Sequence, residues 1–311
     1  MSDKQFKNLN EQIDILKSKG LVVEDEMYAK EILLRENYFF INGYRHLFMK
    51  SPSDKIFIKG TSFNELYGLF LFDRTFRNIL FKNLLIIENN IKSIFSYQLS
   101  KKYGYKERDY LKPNNFTSDP KKSKQVNDLI KKMKRQIRVN GKQHTATLHY
   151  ISNYGYIPMW ILVKVLSFGI LSEFYQILKP EDQYVIAEFY DTNSSTLSSY
   201  LSILSNYRNI CAHEDILFEN KTQRSIEDTK YHELLNIPMM DGEYIYGKCD
   251  IFSLLIMTKQ LLTEREFRLL IQEISYELDV LNGRVSTIPM EKILDRMGFP
   301  PNWKDLVKMS R

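Results

Sequence analysis

Residues 63–102 carry the longest helical pattern in the chain. Leu66, Leu69, Phe70, Phe76, Ile79, Leu80, Leu84, Ile87, Ile91 and Ile94 keep the three- and four-residue spacing that gathers apolar side chains on one side of an α-helix. The stretch predicts either two helices or one long helix broken near the charged Asp73. Turn formers are scarce, with 12 Gly and 9 Pro in 311 residues, and that scarcity favours long helices over many short strands.

The flanking segments extend the same pattern. Residues 10–19 predict a short helix with Ile13 and Leu16 on one face, closed by Gly20. The segment "EDEMYAKEILLREN" follows, then the aromatic "YFFINGYRHLF". In "QVNDLIKKMKRQIRV", Val126, Leu129, Ile130, Met133 and Ile137 stand at helical spacing. Lys131, Lys132, Lys134, Arg135 and Arg138 take the other face, which describes an amphipathic helix with a basic exterior. "IPMWILVKVLSFGILSEFYQIL" and "PEDQYVIAEFY" are apolar and helical, and "DTNSS" supplies an N-cap for the next helix. Beyond Asn220 a small hairpin is expected at "GEYIYGKCD", with helices over 263–281 and 289–297. The expected fold is mainly α, a helical bundle forming one domain over 1–311. Residues 103–150 stand out as a basic, insertion-like segment, and 220–311 as a C-terminal helical lobe.

Composition removes several classes. The chain is 43% hydrophobic and 26% charged, which is ordinary for a globular protein. Cys211 and Cys249 are its two cysteines; they are too few for a disulfide framework or a structural zinc site and suit a reducing cytoplasm. The N-terminus is charged, and the most apolar windows carry Lys82, Glu88, Lys164 and Glu173, so no membrane span is expected. There is no Walker A loop, no G-x-G-x-x-G and no G-x-S-x-G elbow, and no cofactor or metal is expected. Glu24, Asp25 and Glu26 stand at a helix start, where acids suit the dipole. The net charge of +6 is uneven: residues 101–142 hold fourteen Lys or Arg against four acids. Such a block points to a polyanion, RNA or DNA, or else to a solvated lysine-rich face.

One polar constellation interrupts an apolar helix: "YLSILSNYRNICAH". With a helix over 195–213, Leu197, Tyr200, Leu201, Leu204 and Cys211 share one stripe. His213 then lies about 180° from Leu204, turned away from the core. Asn209 shares its face, and Arg208 sits between the two. Chance alone yields roughly one R-x4–6-H match in a chain of this composition. A second match exists, Arg138 to His144 in "RVNGKQH", and spacing does not separate the two. Glu88, a lone acid in "LLIIENNI", is either a solvent-facing polar position or a partner for Arg208. His46 and His149 sit among aromatics and look structural; the rings of "YFFINGY" are either core or base-stacking.

"SYLSILSNYRNICAH" resembles the signature of the abortive infection (Abi) family of the AbiD/AbiF type, within the HEPN superfamily. "LNEQIDILKSKGLVV", "ENYFFINGYRHLF", "FDRTFRNILFKNLLIIENNIKSIFSYQLSKKYG", "PMWILVKVLSFGILSEFYQIL" and "MGFPPNWKDL" resemble further segments of the same family, in the same order. One departure occurs after the histidine, where many members have a second histidine and an Arg-Leu pair, and this chain has Glu214 and Ile216. The resemblance implies a HEPN-like core with extra terminal helices, and a homodimer of phage-defence function. It also implies a metal-independent ribonuclease site built from Arg208, Asn209 and His213, with Arg138–His144 as a decoy. A structured small RNA is an implied partner. Lys121, Lys122, Lys124, Lys131, Lys132, Lys134, Arg135, Arg138 and Lys142 are the expected RNA-binding residues.

The chemistry suits these residue types. Metal-free RNA cleavage needs a base for the 2′-OH, an acid for the departing 5′-oxygen and a cation on the phosphorane. Histidine serves either proton role near neutral pH, and arginine's planar fork matches phosphate oxygens. One His213 per chain supplies one of the two roles, and a dimer supplies both. The alternative is a non-catalytic RNA-binding module in which Arg208 and His213 only hold phosphate.

Overall fold

The structure, a computed structural model, describes residues 5–51, 55–141 and 143–310. It is mainly α. Helices α1 (Leu9–Ser18), α2 (Glu26–Glu36) and α3 (Tyr38–Gly43) precede the long α4 (Phe63–Tyr103). Then come α5 (Glu107–Tyr110), α6 (Ser123–Asn140), α7 (Thr145–Tyr154), α8 (Met159–Val165), α9 (Phe168–Ile177), α10 (Pro180–Glu188) and α11 (Ser194–Ala212). The C-terminal part holds α12 (Lys230–Leu234), α13 (Ile251–Leu261), α14 (Glu264–Asn282) and α15 (Met290–Met297). Strands β1 (Met239–Met240) and β2 (Glu243–Tyr244) pair antiparallel, with Met239 opposite Tyr244. Among the described residues no helix is long and apolar enough to cross a membrane.

α4 is the spine. Its 41 residues make a rod of about 60 Å, opened by a capping box between Ser62 and Glu65 and closed at Gly104. It does not break at Asp73, contrary to the sequence expectation. Asp73 is fully buried, and tertiary donors take up its carboxylate, so the polar residue in the apolar stripe marks an anchor. α8, α11 and α14 pack along α4. One hydrophobic cluster, reaching from Ile13 to Leu306, includes residues of the C-terminal helices.

Two further differences have local causes. "IPMWILVKVLSFGILSEFYQIL" forms two helices because the chain turns extended at Leu166, and Ser167 restarts it by accepting from the Ile170 amide. α13 escapes sequence reading because every residue from Ile251 to Leu261 is buried, leaving no polar face for an apolar stripe to stand against. α11 runs antiparallel to α4. Its first turn lies near Tyr175, which packs on Phe95, and its last turn lies over Phe81 and Glu88.

Candidate functional site

α11 begins with Asn193, whose side chain accepts from the Thr196 amide at 2.8 Å. Leu197, Tyr200, Leu201, Leu204, Tyr207 and Cys211 are buried along one side. The helix ends at Ala212, and His213 is its C-cap, its amide donating to the Asn209 carbonyl at 3.0 Å. Glu214 then adopts a left-handed conformation (φ +58°), and the Asp215 amide returns to the Ile210 carbonyl. The αL residue and this 6→1 bond make a Schellman-like closure with glutamate where glycine is usual. His213 and Asn209 are exposed on the same side of the last turn.

Arg208 is half-buried. Its guanidinium lies 5.5 Å from the centre of the Phe81 ring, and its Nε is 3.8 Å from Oε2 of Glu88. Glu88 is itself buried, at 5% exposure, which rules out the solvent-facing reading. Its Oε1 accepts from Lys92 Nζ at 2.6 Å. Neither Glu88 Oε2 nor Arg208 Nε has a hydrogen-bond partner. The cluster therefore sets two cations against one carboxylate and leaves the arginine loosely held, five residues before an exposed histidine. Lys92 was not anticipated from sequence, although its i,i+4 spacing from Glu88 in "ENNIK" is an ion-pair signal.

A loosely held Arg208 makes a stability prediction. Glu88 keeps Lys92 when Arg208 is removed, so Arg208→Ala is expected to lower stability by less than about 1 kcal/mol. Thermal melting checks it, and a large drop would show the arginine to be structural.

The chain leaving His213 is clamped to α4. Asp73 accepts from the amides of Leu217 (3.0 Å) and Phe218 (2.8 Å), from Tyr44 Oη (2.7 Å) and from Arg77 (2.5 Å). Arg77 also donates to the Asp215 carbonyl at 3.3 Å. Burial pushes the Asp73 carboxyl up, against the pull of Arg77 and the two amides. Cys211, within "RNICAH", is buried, and desolvation pushes its thiol up to about 12, so it is no nucleophile at neutral pH.

The second R-x5-H match is not a constellation of this kind. His144 is the N-cap of α7 and accepts from the Thr147 amide, while Arg138 is exposed on α6. Lys121, Lys124, Lys131, Lys132, Lys134, Arg135 and Arg138 are exposed, and Lys122 is half-buried. Lys132 pairs with Glu173, and Lys122 donates to the Gln176 carbonyl. Lys142 lies outside the described residues. This basic segment follows the C-terminal end of α4. Glu88 stands fifteen residues before that end, about 22 Å along the helix.

Beside the basic segment lies an aromatic surface that the sequence did not announce. Tyr105, Tyr150, Tyr154, Tyr156 and Trp160 approach one another with ring centres 5.4–6.2 Å apart, and His149 packs on Tyr150 and Tyr154. Lys106 Nζ lies 4.9 Å from the centre of Tyr156. Tyr105, Tyr154 and Trp160 are exposed. His149 and His46 are exposed too, not structural core positions. Among the described residues no cluster of three or more His, Cys, Asp or Glu is arranged to hold a metal ion.

The Abi-like protein family matches residues 31–219. The chain belongs to that family. It is an abortive infection family, and membership points to phage defence. Comparison with curated proteins and with solved structures gave no match. In this Abi-like protein the matched stretch contains all of α4 and α11 and ends one residue past Phe218, at the Asp73 clamp. α13 and α14 lie beyond it.

Proposed function

We propose that this Abi-like protein is a metal-independent endoribonuclease of the AbiD/AbiF type and the HEPN superfamily, acting in the cytoplasm as a homodimer. The observation that carries this reading is a solvent-exposed His213 at the end of the helix that holds Arg208, whose Nε has no hydrogen-bond partner and whose cluster has one cation in excess. An incoming phosphate supplies the missing anion. Arg208 holds a non-bridging oxygen and stabilises the phosphorane. His213 of one copy takes the proton of the 2′-OH as that oxygen attacks phosphorus. His213 of the second copy protonates the departing 5′-oxygen. The products are a 2′,3′-cyclic phosphate and a 5′-OH. Asn209, on the same exposed turn, orients the phosphate or the imidazole, and buried Glu88 positions Arg208.

The test is incubation of a mixed RNA pool with purified protein in EDTA, wild type beside His213→Ala, with the product ends analysed. Cleavage by wild type alone, leaving cyclic phosphate ends, is expected. Equal cleavage by both proteins would remove His213 from the mechanism.

The aromatic and basic surface beyond α4 favours a second reading, a module that binds RNA without cutting it, and within the first reading it seats a structured small RNA. Base stacking on an aromatic ring contributes about 1–3 kcal/mol. Tyr154→Ala with Trp160→Ala is therefore expected to weaken RNA binding by at least about ten-fold, measured by fluorescence anisotropy at fixed salt. A binder without catalysis would show this loss and no cleavage in any variant.

A further inference from the structure

A cavity of about 640 Å³ opens beside the turn that follows His213, within the range of small-molecule sites. Phe39, Phe40 and Asn42 of α3 form one wall, Glu214 to Ile216 form another, and Arg74 of α4 reaches in. Most of the charges around it are neutralised locally. Arg74 makes two hydrogen bonds to Glu36 at 3.0 and 2.5 Å, Arg77 pairs with Asp73, and Glu219 pairs with Arg296. Arg35 pairs with Glu31, Arg45 donates to the Asn42 carbonyl, and Glu214 and Asp215 add negative charge to the lining. Such walls do not make a phosphate site.

They do offer a slot for a flat, neutral, polar-edged group. Phe39 and Phe40 are 76% and 51% exposed, with ring centres 5.9 Å apart, a poor arrangement for large apolar rings unless something covers them. Asn42 and the half-buried Arg74 add polar side chains to the lining, and Arg74 is held in place by Glu36. A nucleobase suits the walls, because it has a face for stacking on the exposed rings and an edge of donors and acceptors for the polar side chains beside them.

We propose that this cavity is a nucleobase subsite, which takes one unpaired base of an RNA strand whose phosphate lies at Arg208 and His213. The proposal rests on the ribonuclease reading for its substrate and adds base selection to it. Glu214, the neighbour of His213 in sequence, lines the cavity, so the cavity adjoins the turn that leaves the end of α11. Phe40 supplies the stacking face, and Asn42 reads the base edge.

The experiment is binding of short 2′-O-methyl RNAs, which lack the attacking hydroxyl, to the full-length chain, with each of the four bases tested at each position. Wild type is expected to prefer one base at one position by ten-fold or more. Phe40→Ala should weaken binding by about 5- to 150-fold, and Asn42→Ala should flatten the preference. His213→Ala should keep the preference. Wild type without a preference, or a preference untouched by Phe40→Ala and Asn42→Ala, overturns the subsite. A change of oligomeric state in Phe40→Ala, with RNA binding intact, would assign the rings to a protein contact and also overturn it. The ribonuclease reading fails separately: base preference retained with no cleavage in EDTA leaves the subsite in place and removes the nuclease.

Discussion

His213→Ala is expected to lower cleavage in EDTA by about 10²–10⁴-fold, the usual contribution of a positioned acid or base. The fold should barely notice. The imidazole stands in solvent, and the capping bond comes from the backbone amide, which alanine keeps. Exposed substitutions of this kind stay within about 0.5 kcal/mol, a shift of about 1 °C or less in melting temperature for a chain of this length. Loss of cleavage with an unchanged melt therefore assigns the defect to chemistry. A mixing experiment adds the dimer. If one copy's histidine is the base and the other's the acid, co-assembled wild-type and His213→Ala chains leave only wild-type pairs active. An equal mixture should then retain about a quarter of the activity. Retention of about half would mean that each chain works alone, and the composite site would fall.

The legible parts of this protein are those where one face meets the core and the other meets water. α11 shows it: Leu197, Tyr200, Leu201, Leu204 and Cys211 are buried as their spacing requires, and the same periodicity places Asn209 and His213 outside. α13 is the opposite case, buried all round and so without a period to detect. Asp73 looks like a helix breaker on local rules. Its partners Tyr44, Leu217 and Phe218 lie 29, 144 and 145 residues away in sequence, and no local window contains them. Glu88 is ambiguous for the same reason, since Arg208, the residue it faces on α11, lies far from it in sequence. The rings around Trp160 do not stand out in the sequence because aromatic content signals core in most helices, and spacing alone does not tell which ringed face is left to solvent. The exposed Phe39 and Phe40 follow the same rule, next to a fully buried Tyr44.

The clamp carries the largest stability prediction. Asp73→Ala is expected to destabilise the protein by about 3–5 kcal/mol, the usual consequence of removing one partner of a buried ion pair. Arg77 is 2% exposed, and without Asp73 its charge stays in the interior with no carboxylate beside it. The amides of Leu217 and Phe218 and the Tyr44 hydroxyl lose their acceptor in the same change. Asp73→Asn keeps a carbonyl oxygen and should cost less. Asp73→Asn with Arg77→Met, which removes both charges, should recover part of the stability lost in Asp73→Ala. Chemical denaturation measures all three. The clamp also bears on the site, because residues 215–218 tie the end of α11 to α4. Once Asp73→Asn is shown to be folded at the assay temperature, its cleavage rate should still fall, because the turn beyond His213 has lost a charged anchor. An Asp73→Ala protein as stable as wild type would mean that the turn is held without the carboxylate, by Arg77 on the Asp215 carbonyl and by Tyr44 stacked on Phe218.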